Sequence, residues 1–464
     1  MKKILIALMI FAIITRFAFL EQRPMDHDES VHAWISLKNV VESPSYSYDP
    51  AFHGPFLYFV ISLTFLAFGD SDFSARFPVA IFSIIGVFFA FKFERWFGKS
   101  AYIFALFMIF SPSILYYSRY ARDDIIVLSS FIAFLYFYLL YREKRELRNA
   151  IFAVIFLVVI FTSKENWVQY FTVVFLALTL YRYMRRDFTF DRNIIPCIVL
   201  FIFLSSFFYS SAFAYAINGK NWVEVILSRD WIDRFFEKSI PYWFSQGLGS
   251  AHEKPIHYFI NILLRYEFLA LALAIASFPL KIERKFEFYE IFAICWLVIA
   301  FLFYHAMAYK TPWLVVHLVT PLVFFAIVFI RRDFFDNRDF KITFAIGLIV
   351  TSLISVQVTY FEYNNVLEQP LIYVQTQEGA IKMANRIRDL VSQGYSVAIF
   401  AVDGHYWPMP WVLRDEKVIF TTTCPRGYDY VFAARRDYRC LSGYEIVANY
   451  ELRKYWEFYE LRKI

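Results

Sequence analysis

His53-Gly54-Pro55-Phe56-Leu57-Tyr58-Phe59-Val60-Ile61-Ser62-Leu63-Thr64-Phe65-Leu66-Ala67-Phe68-Gly69-Asp70 is the stretch on which the topology turns. It follows a first apolar run at 3–20. Further runs lie near 76–93, 101–117, 125–140, 150–162, 166–181, 193–215, 257–279, 288–307, 312–330 and 342–361. Basic clusters punctuate them at Lys92/Arg95/Lys99, Arg142/Lys144/Arg145/Arg148, Arg182/Arg185/Arg186, Lys281/Arg284/Lys285 and Arg331/Arg332/Arg338. Lys and Arg beside membrane spans collect on the cytoplasmic side. If 54–68 crossed, every one of these clusters would fall outside. If it lies along the outer interface, all of them fall inside with Lys2 and Lys3. The run is short, opens on His-Gly-Pro and closes on Gly69-Asp70, which fits an interfacial helix in a long first external loop. About eleven spanning helices then remain, with the N-terminus cytoplasmic.

Composition agrees. Of 464 residues, 59% are hydrophobic and 22% aromatic, with only 13 Gly. Repeated runs near the roughly 20 residues that span a bilayer exclude an ordinary soluble domain and indicate a multi-pass membrane protein. Met1-Lys2-Lys3 before an apolar run resembles a signal peptide, but no small-residue cleavage site follows and Arg16 lies inside, so the first helix is read as retained. The net charge of +6 sits in the inter-span clusters, where it sets orientation and does not point to nucleic acid. Cys197 and Cys295 fall in apolar runs as small buried side chains. Cys424 and Cys440 fall in the polar tail, where an external location would permit pairing.

This topology gathers the chemically suggestive residues on one side. Asp26-His27-Asp28-Glu29-Ser30-Val31-His32 follows the first span. Asp28 and Glu29 suit a general base and a partner that tunes it, or, with Asp124, a site for a divalent cation; an acidic solvated loop is the plainer alternative. Arg119-Tyr120-Ala121-Arg122-Asp123-Asp124 opens a span, where acids complement the helix dipole and Arg grips either those acids or a phosphate. Lys164-Glu165 occupies a very short turn and Tyr309-Lys310-Thr311-Pro312-Trp313 another. Snorkelling accounts for either lysine alone. His252-Glu253-Lys254-Pro255-Ile256-His257 lacks the spacing of a zinc site. Arg16, Arg265 and Glu267, inside spans, pair with neighbours on the simplest reading.

In order along the chain, these segments resemble a family. Asp28-Glu29-Ser30-Val31-His32 resembles the first-loop Asp-Glu motif of the aminoarabinose-transferase and protein O-mannosyltransferase superfamily, whose members have the GT-C fold and use polyprenyl-phosphate-linked sugars. His53 to Tyr58 resembles their juxtamembrane Pro-Pro-Leu segment, Ala75-Arg76-Phe77-Pro78 the start of their second span, and Arg119 to Asp124 their Ala-Arg-x-Asp segment. Ser163-Lys164-Glu165, His252 to Pro255 and Tyr309 to Pro312 resemble three further external turns. The superfamily likeness covers about residues 15–330. Lys310-Thr311-Pro312-Trp313 and Tyr406-Trp407-Pro408-Met409-Pro410-Trp411 are closest to an archaeal branch, the flippase-activity-associated proteins of the archaeal glycosylation (Agl) group, over nearly the whole chain. The resemblance implies Asp28 as base, supported by Glu29 and Asp124, with Arg122, Lys164, Lys254 and Lys310 on the donor phosphate. His53, Glu165, His252, Tyr309 and Trp313 are then substrate contacts. One departure concerns His53-Gly54-Pro55, where bacterial aminoarabinose transferases often carry Lys before the prolines.

After about 362 the chain turns polar. Ile381, Ala384, Ile387 and Leu390-Val391 recur with a helical period, and 395–400, 417–421, 430–433 and 444–448 alternate as strands. The reading is therefore a GT-C-like membrane domain over 1–361 and a small external α/β domain over 362–464, in the plasma membrane. Two functions compete. One is an inverting glycosyltransferase that moves a hexosyl or pentosyl unit from a polyprenyl-phosphate donor to an external glycan, lipid or protein acceptor. The other is a non-catalytic lipid-linked-sugar binding or flippase-associated component.

Overall fold

Polar residues set the starts of the helices. The Ser71 hydroxyl accepts from the Ser74 amide ahead of the Asp72–Lys92 helix, and the Asn337 side chain accepts from Asp339 and Phe340 ahead of Arg338–Val356. The structure is a computed structural model that describes residues 2–186, 191–228, 230–249, 252–278, 286–330 and 332–464. Lys281, Arg284, Lys285 and Arg331, expected on the cytoplasmic face, lie outside the described residues.

Among the described residues, five helices are long and apolar enough to cross a membrane: Asp72–Phe97, Asp124–Lys144, Phe288–Ala306, Pro312–Phe329 and Arg338–Phe361. Shorter apolar helices, Ser100–Phe110, Leu147–Ser163 and Ile194–Tyr209, fall on three more of the expected spans. Lys2–Phe17 and Trp167–Arg185 fall on a further two. Phe56–Phe68, the remaining helix of that shorter apolar class, has 13 residues, roughly 20 Å against the ~30 Å of a hydrocarbon core.

The run expected to cross at 257–279 is not one straight helix. Tyr258–Tyr266 and Phe268–Ala276 meet at 93°. Glu267, at the corner, is fully buried, and its carboxylate accepts from the Ser111 hydroxyl at 2.7 Å, the Ser113 hydroxyl at 2.6 Å and the Ser113 amide at 2.9 Å. Those contacts cap the Pro112–Tyr117 helix from outside it. Arg16, also fully buried, donates to the Ile109 carbonyl at 2.9 Å and to the Met108 carbonyl, the orphan acceptors at the end of Ser100–Phe110. Arg16 and Glu267 therefore both close helix ends, whereas Arg265 is exposed and reaches Gln369 at 3.5 Å.

The Asp124–Lys144 helix lies at the centre of the bundle, packed on Asp72–Lys92 and Leu147–Ser163. Gly86 makes one of these approaches possible: a Cβ there would sit 2.6 Å from the Ser129 hydroxyl. This central helix delivers Asp124, its first residue, to the end of the bundle where the acids and cations gather.

The tail forms a five-stranded sheet, β1 Val397–Phe400, β2 Val418–Thr421, β3 Tyr430–Ala434, β4 Tyr444–Arg453 and β5 Trp456–Lys463, in the order β2-β1-β3-β5-β4. The first three strands are parallel and the β3–β5 and β5–β4 pairs antiparallel. The Glu378–Ser392 helix packs Met383, Ala384, Ile387 and Leu390 against the sheet, as their period requires. Strand β5 went unread because Glu457, Glu460, Arg462 and Lys463 obscure its alternation. Cys424 and Cys440 are joined, tying the chain after β2 to the turn after β3, while Cys197 and Cys295 are free and buried.

Residues 362–376 pack with the bundle. Leu371 and Ile372 enter its core, and Gln375 and Thr376 donate to the Pro24 and Met25 carbonyls. Arg414 meets Asp70 at 2.6 Å and the Trp411 indole donates to Asp72 at 2.8 Å, so the sheet is seated over the Phe56–Phe68 corner.

Candidate active site

Asp26 starts the short His27–Ile35 helix. Its carboxylate accepts from the Glu29 amide at 2.8 Å, and the Glu29 carboxylate accepts from the Asp26 amide at 3.3 Å, a reciprocal cap. Glu29 is fully buried and takes two bonds of 2.8 Å from the Arg76 guanidinium, one of 2.8 Å from Arg23 and one of 2.9 Å from the Ala121 amide. Burial raises its pKa, but Arg23 and Arg76 outweigh it and hold the carboxyl at about 2. Glu29 thus faces away from its neighbour Asp28: it positions the helix and is not available to substrate. Asp28, with its side chain 28% exposed, faces the open side and pairs with Arg122. Burial opposes its ionisation, and the Arg122 guanidinium beside it keeps its pKa below the ordinary value.

Arg122 organises the site. Its guanidinium lies 3.9 Å from the centroid of the buried Trp313 ring, donates to His53 Nε2 at 3.2 Å and reaches Asp124 at 3.7 Å. Because the guanidinium can only donate, His53 Nε2 accepts and its proton resides on Nδ1, which donates to Glu165 at 3.0 Å. Glu165 also accepts from the Tyr48 hydroxyl at 3.1 Å. His53 stacks on Trp243, centroids 5.6 Å apart. Lys164, buried, donates to Asp124 at 2.6 Å, and the same oxygen takes His317 Nε2 at 3.0 Å. Asp28, Arg122, Asp124 and Lys164 therefore form one connected chain, and His53 and Glu165 branch from it.

The chain geometry that permits this centres on Gly54. Its amide donates to the Ser163 carbonyl at 2.9 Å, and a Cβ would lie 2.2 Å from the Thr162 carbonyl oxygen. Only glycine lets the His53 segment approach the Lys164 turn so closely. His53 itself has φ +66°, which fixes where its ring points.

Other expected residues are placed differently. Tyr309 and Trp313 border the site, Tyr309 within 6.1 Å of the Trp243 ring. His252 bonds the Tyr373 hydroxyl at 2.8 Å, one layer out. Lys310 turns its ammonium to the Met307 carbonyl, and only its backbone, bonded to the His252 carbonyl at 3.1 Å, shapes the rim. Lys254 is exposed on the approach. His317, which completes the Asp124 cradle with Tyr170 behind it at 2.5 Å, was not anticipated. It lies four residues, one helical turn, beyond Trp313, and that spacing was the available signal. Asp28 and Asp124 lie on either side of Arg122, which holds the position a shared cation would take. Among the described residues no three His, Cys, Asp or Glu are grouped as metal ligands.

Beside the polar chain a cavity of about 550 Å3 opens, with Lys164 and Glu165 at its polar end and Phe235, Trp243, Phe303 and Tyr304 among its walls. Burial raises Glu165 to about 7, only partly offset by Tyr48 and Lys164. Its proton is therefore held more tightly in the folded than in the unfolded chain, and the associated stabilisation is complete below pH 4.5 and lost as the pH rises through 7. That amounts to about 3 kcal/mol. His27 and His32, which burial lowers to about 4, act in the opposite sense between pH 4 and 6.5. Glu165→Gln is accordingly expected to remove the Glu165 contribution, so that the wild type loses stability relative to the variant as the pH rises from 4.5 to 7. The difference between wild-type and variant unfolding midpoints across that range checks this, and a constant difference would refute it.

The family of dolichyl-phosphate-mannose-protein mannosyltransferases matches residues 52–211. ArnT from Cupriavidus metallidurans, solved with undecaprenyl phosphate, superposes with a TM-score of 0.64 at 14% identity, over 98% of this chain and 97% of that one. Its apo form gives 0.63 over the same shares. The Archaeoglobus fulgidus oligosaccharyltransferase, solved with Zn and sulfate, gives 0.57 at 13% identity over 93% of this chain and 68% of its own. No curated protein matches the sequence. At these identities the likeness establishes the fold, which is GT-C.

Proposed function

We propose that this GT-C chain is a glycosyltransferase that moves a sugar from a polyprenyl-phosphate donor to an acceptor on the outer side of the membrane. The observation that carries the reading is the connected Asp28–Arg122–Asp124–Lys164 chain, whose Lys164 end lines a cavity with aromatic, apolar walls. The isoprenoid would lie along those walls and its phosphate would meet Arg122 and Lys164. Asp28, the exposed member, takes the proton from an acceptor hydroxyl or amide as that atom attacks the sugar C1. The C1–O bond to phosphate breaks, the new glycosidic bond forms on the opposite face, and the leaving polyprenyl phosphate carries the electron pair to the two cations. A single displacement of this kind inverts the anomeric centre. Arrival of the phosphate also draws Arg122 away from Asp28, which makes the carboxylate more basic when a base is needed.

The outward placement rests on the basic clusters and on the Cys424–Cys440 disulfide, a bond that persists in oxidising compartments. The archaeal flippase-associated likeness supports the lipid-linked donor and also admits a binding-only role, in which Arg122 and Lys164 matter and Asp28 does not. Purified protein supplied with a labelled polyprenyl-phosphate sugar and membrane-derived acceptors is expected to move label to the acceptor. Label remaining wholly on the donor would reject the reading.

A further inference from the structure

The tail domain leans on the helix that carries Asp28. His27 and Trp34 lie two turns apart on one face of His27–Ile35, and Trp407, from the tail, meets both edge-on with centroids 6.5 and 6.2 Å away. His405 extends the row, 6.0 Å from His27 and 5.5 Å from Trp456, and the Trp456 indole donates to the His405 carbonyl at 3.0 Å. These rings form an unbroken row that passes the residue next to the candidate base.

The middle of the row belongs to no core. Trp34 and Trp407 join none of the hydrophobic clusters of the described residues, and both stay partly exposed, as does His27. The row also carries a directed donor. The Arg453 guanidinium, which can only donate, gives a hydrogen bond to His27 Nδ1 at 3.2 Å, so the imidazole proton resides on Nε2. Among the described residues no acceptor meets that Nε2–H. Half-exposed aromatic rings with a donor and the Asp28 carboxylate at one end suit a molecule that has an apolar C–H face and an edge of hydroxyls, which describes a pyranose ring. An extended peptide would instead need a ladder of free backbone groups. The tail loop offers none there: the Val402 and His405 amides donate to the Asp437 and Asp403 carboxylates at 3.0 and 3.1 Å, and the Tyr406 amide donates to the Gly404 carbonyl at 2.9 Å.

We propose that this row is the acceptor site and that the acceptor is a saccharide, its terminal ring packed against Trp407 and the next against Trp34. The hydroxyl edge of the terminal ring meets His27 Nε2–H and brings one hydroxyl to Asp28. The assignment rests on the transfer reading for the role of Asp28 and adds the chemical class of the acceptor. The test is binding by the purified full-length protein, with no donor present, to a printed array of di- to tetrasaccharides beside peptides that bear hydroxyl and amide side chains. The wild type should be retained on saccharides and not on peptides. Trp407→Ala should weaken that retention about tenfold and leave binding of a polyprenyl phosphate unchanged. Trp34→Ala, a change outside every core, should weaken it by a similar factor and decides the matter if the first variant fails to fold. Retention on peptides equal to or above that on saccharides, no retention on saccharides, or unchanged retention in a folded variant would overturn the proposal. Because no donor or turnover enters the measurement, its failure is distinct from a failure of transfer: a protein that holds saccharides through Trp407 and transfers nothing would reject the transfer reading and leave the saccharide site standing.

Discussion

Glu29→Ala should destabilise the protein by about 3–5 kcal/mol, enough to abolish a folded yield in many membrane proteins. The side chain is fully exchanged from water for protein partners: both oxygens are committed to Arg76, with Arg23, the Ala121 amide and the Asp26 amide completing the set. Removing it leaves two buried guanidiniums without a counter-charge and the His27–Ile35 helix without half of its cap. Arg76, at 0% exposure, cannot reach water to compensate. Glu29→Gln keeps the shape and several of the bonds, and should lie between alanine and wild type. Unfolding midpoints of the three proteins in one detergent check the order. A Glu29→Ala variant as stable as wild type would remove the positioning role assigned to this residue.

Asp28→Asn should reduce sugar transfer by about a thousandfold, the span usual for loss of a general base. Its effect on folding should be small, since the carboxylate is partly exposed and Arg122 retains Asp124, His53 and the Trp313 face. Donor affinity should change by less than about tenfold, because the phosphate is met by Arg122 and Lys164, which the substitution leaves in place. The combination separates a base from a binding residue: a binding-only protein would show no transfer in either form and nearly equal affinities.

The apolar spans were legible because runs near bilayer length stand out in a sequence, and the structure has apolar helices on them. The reading of 54–68 as an interfacial helix rests on its flanking Gly and Pro and on the orientation that a crossing would impose on every later basic cluster. The 93° break at Glu267 was not legible, since a buried carboxylate that caps a distant helix looks in sequence like any intramembrane charge. At the site, Asp28, Arg122, Asp124 and Lys164 could be named from local motifs, yet their mutual order could not. That Glu29 turns inward while its neighbour turns outward follows from Arg23 and Arg76, which lie six and 47 positions away and reach it only through the fold. His317 and Trp243 were hidden for the same reason: one is a single polar residue in an apolar helix, the other one aromatic among many. Lys310 shows the converse, a motif residue whose charged end the fold spends on the Met307 carbonyl.

The most direct measurement is a single-turnover reaction on wild type and Asp28→Asn loaded to equal occupancy with a labelled polyprenyl-phosphate sugar, with acceptor added at time zero. The account predicts acceptor-dependent release of polyprenyl phosphate by the wild type and the same bound donor left about a thousandfold slower to react in the variant. Equal release rates in the two proteins would contradict it.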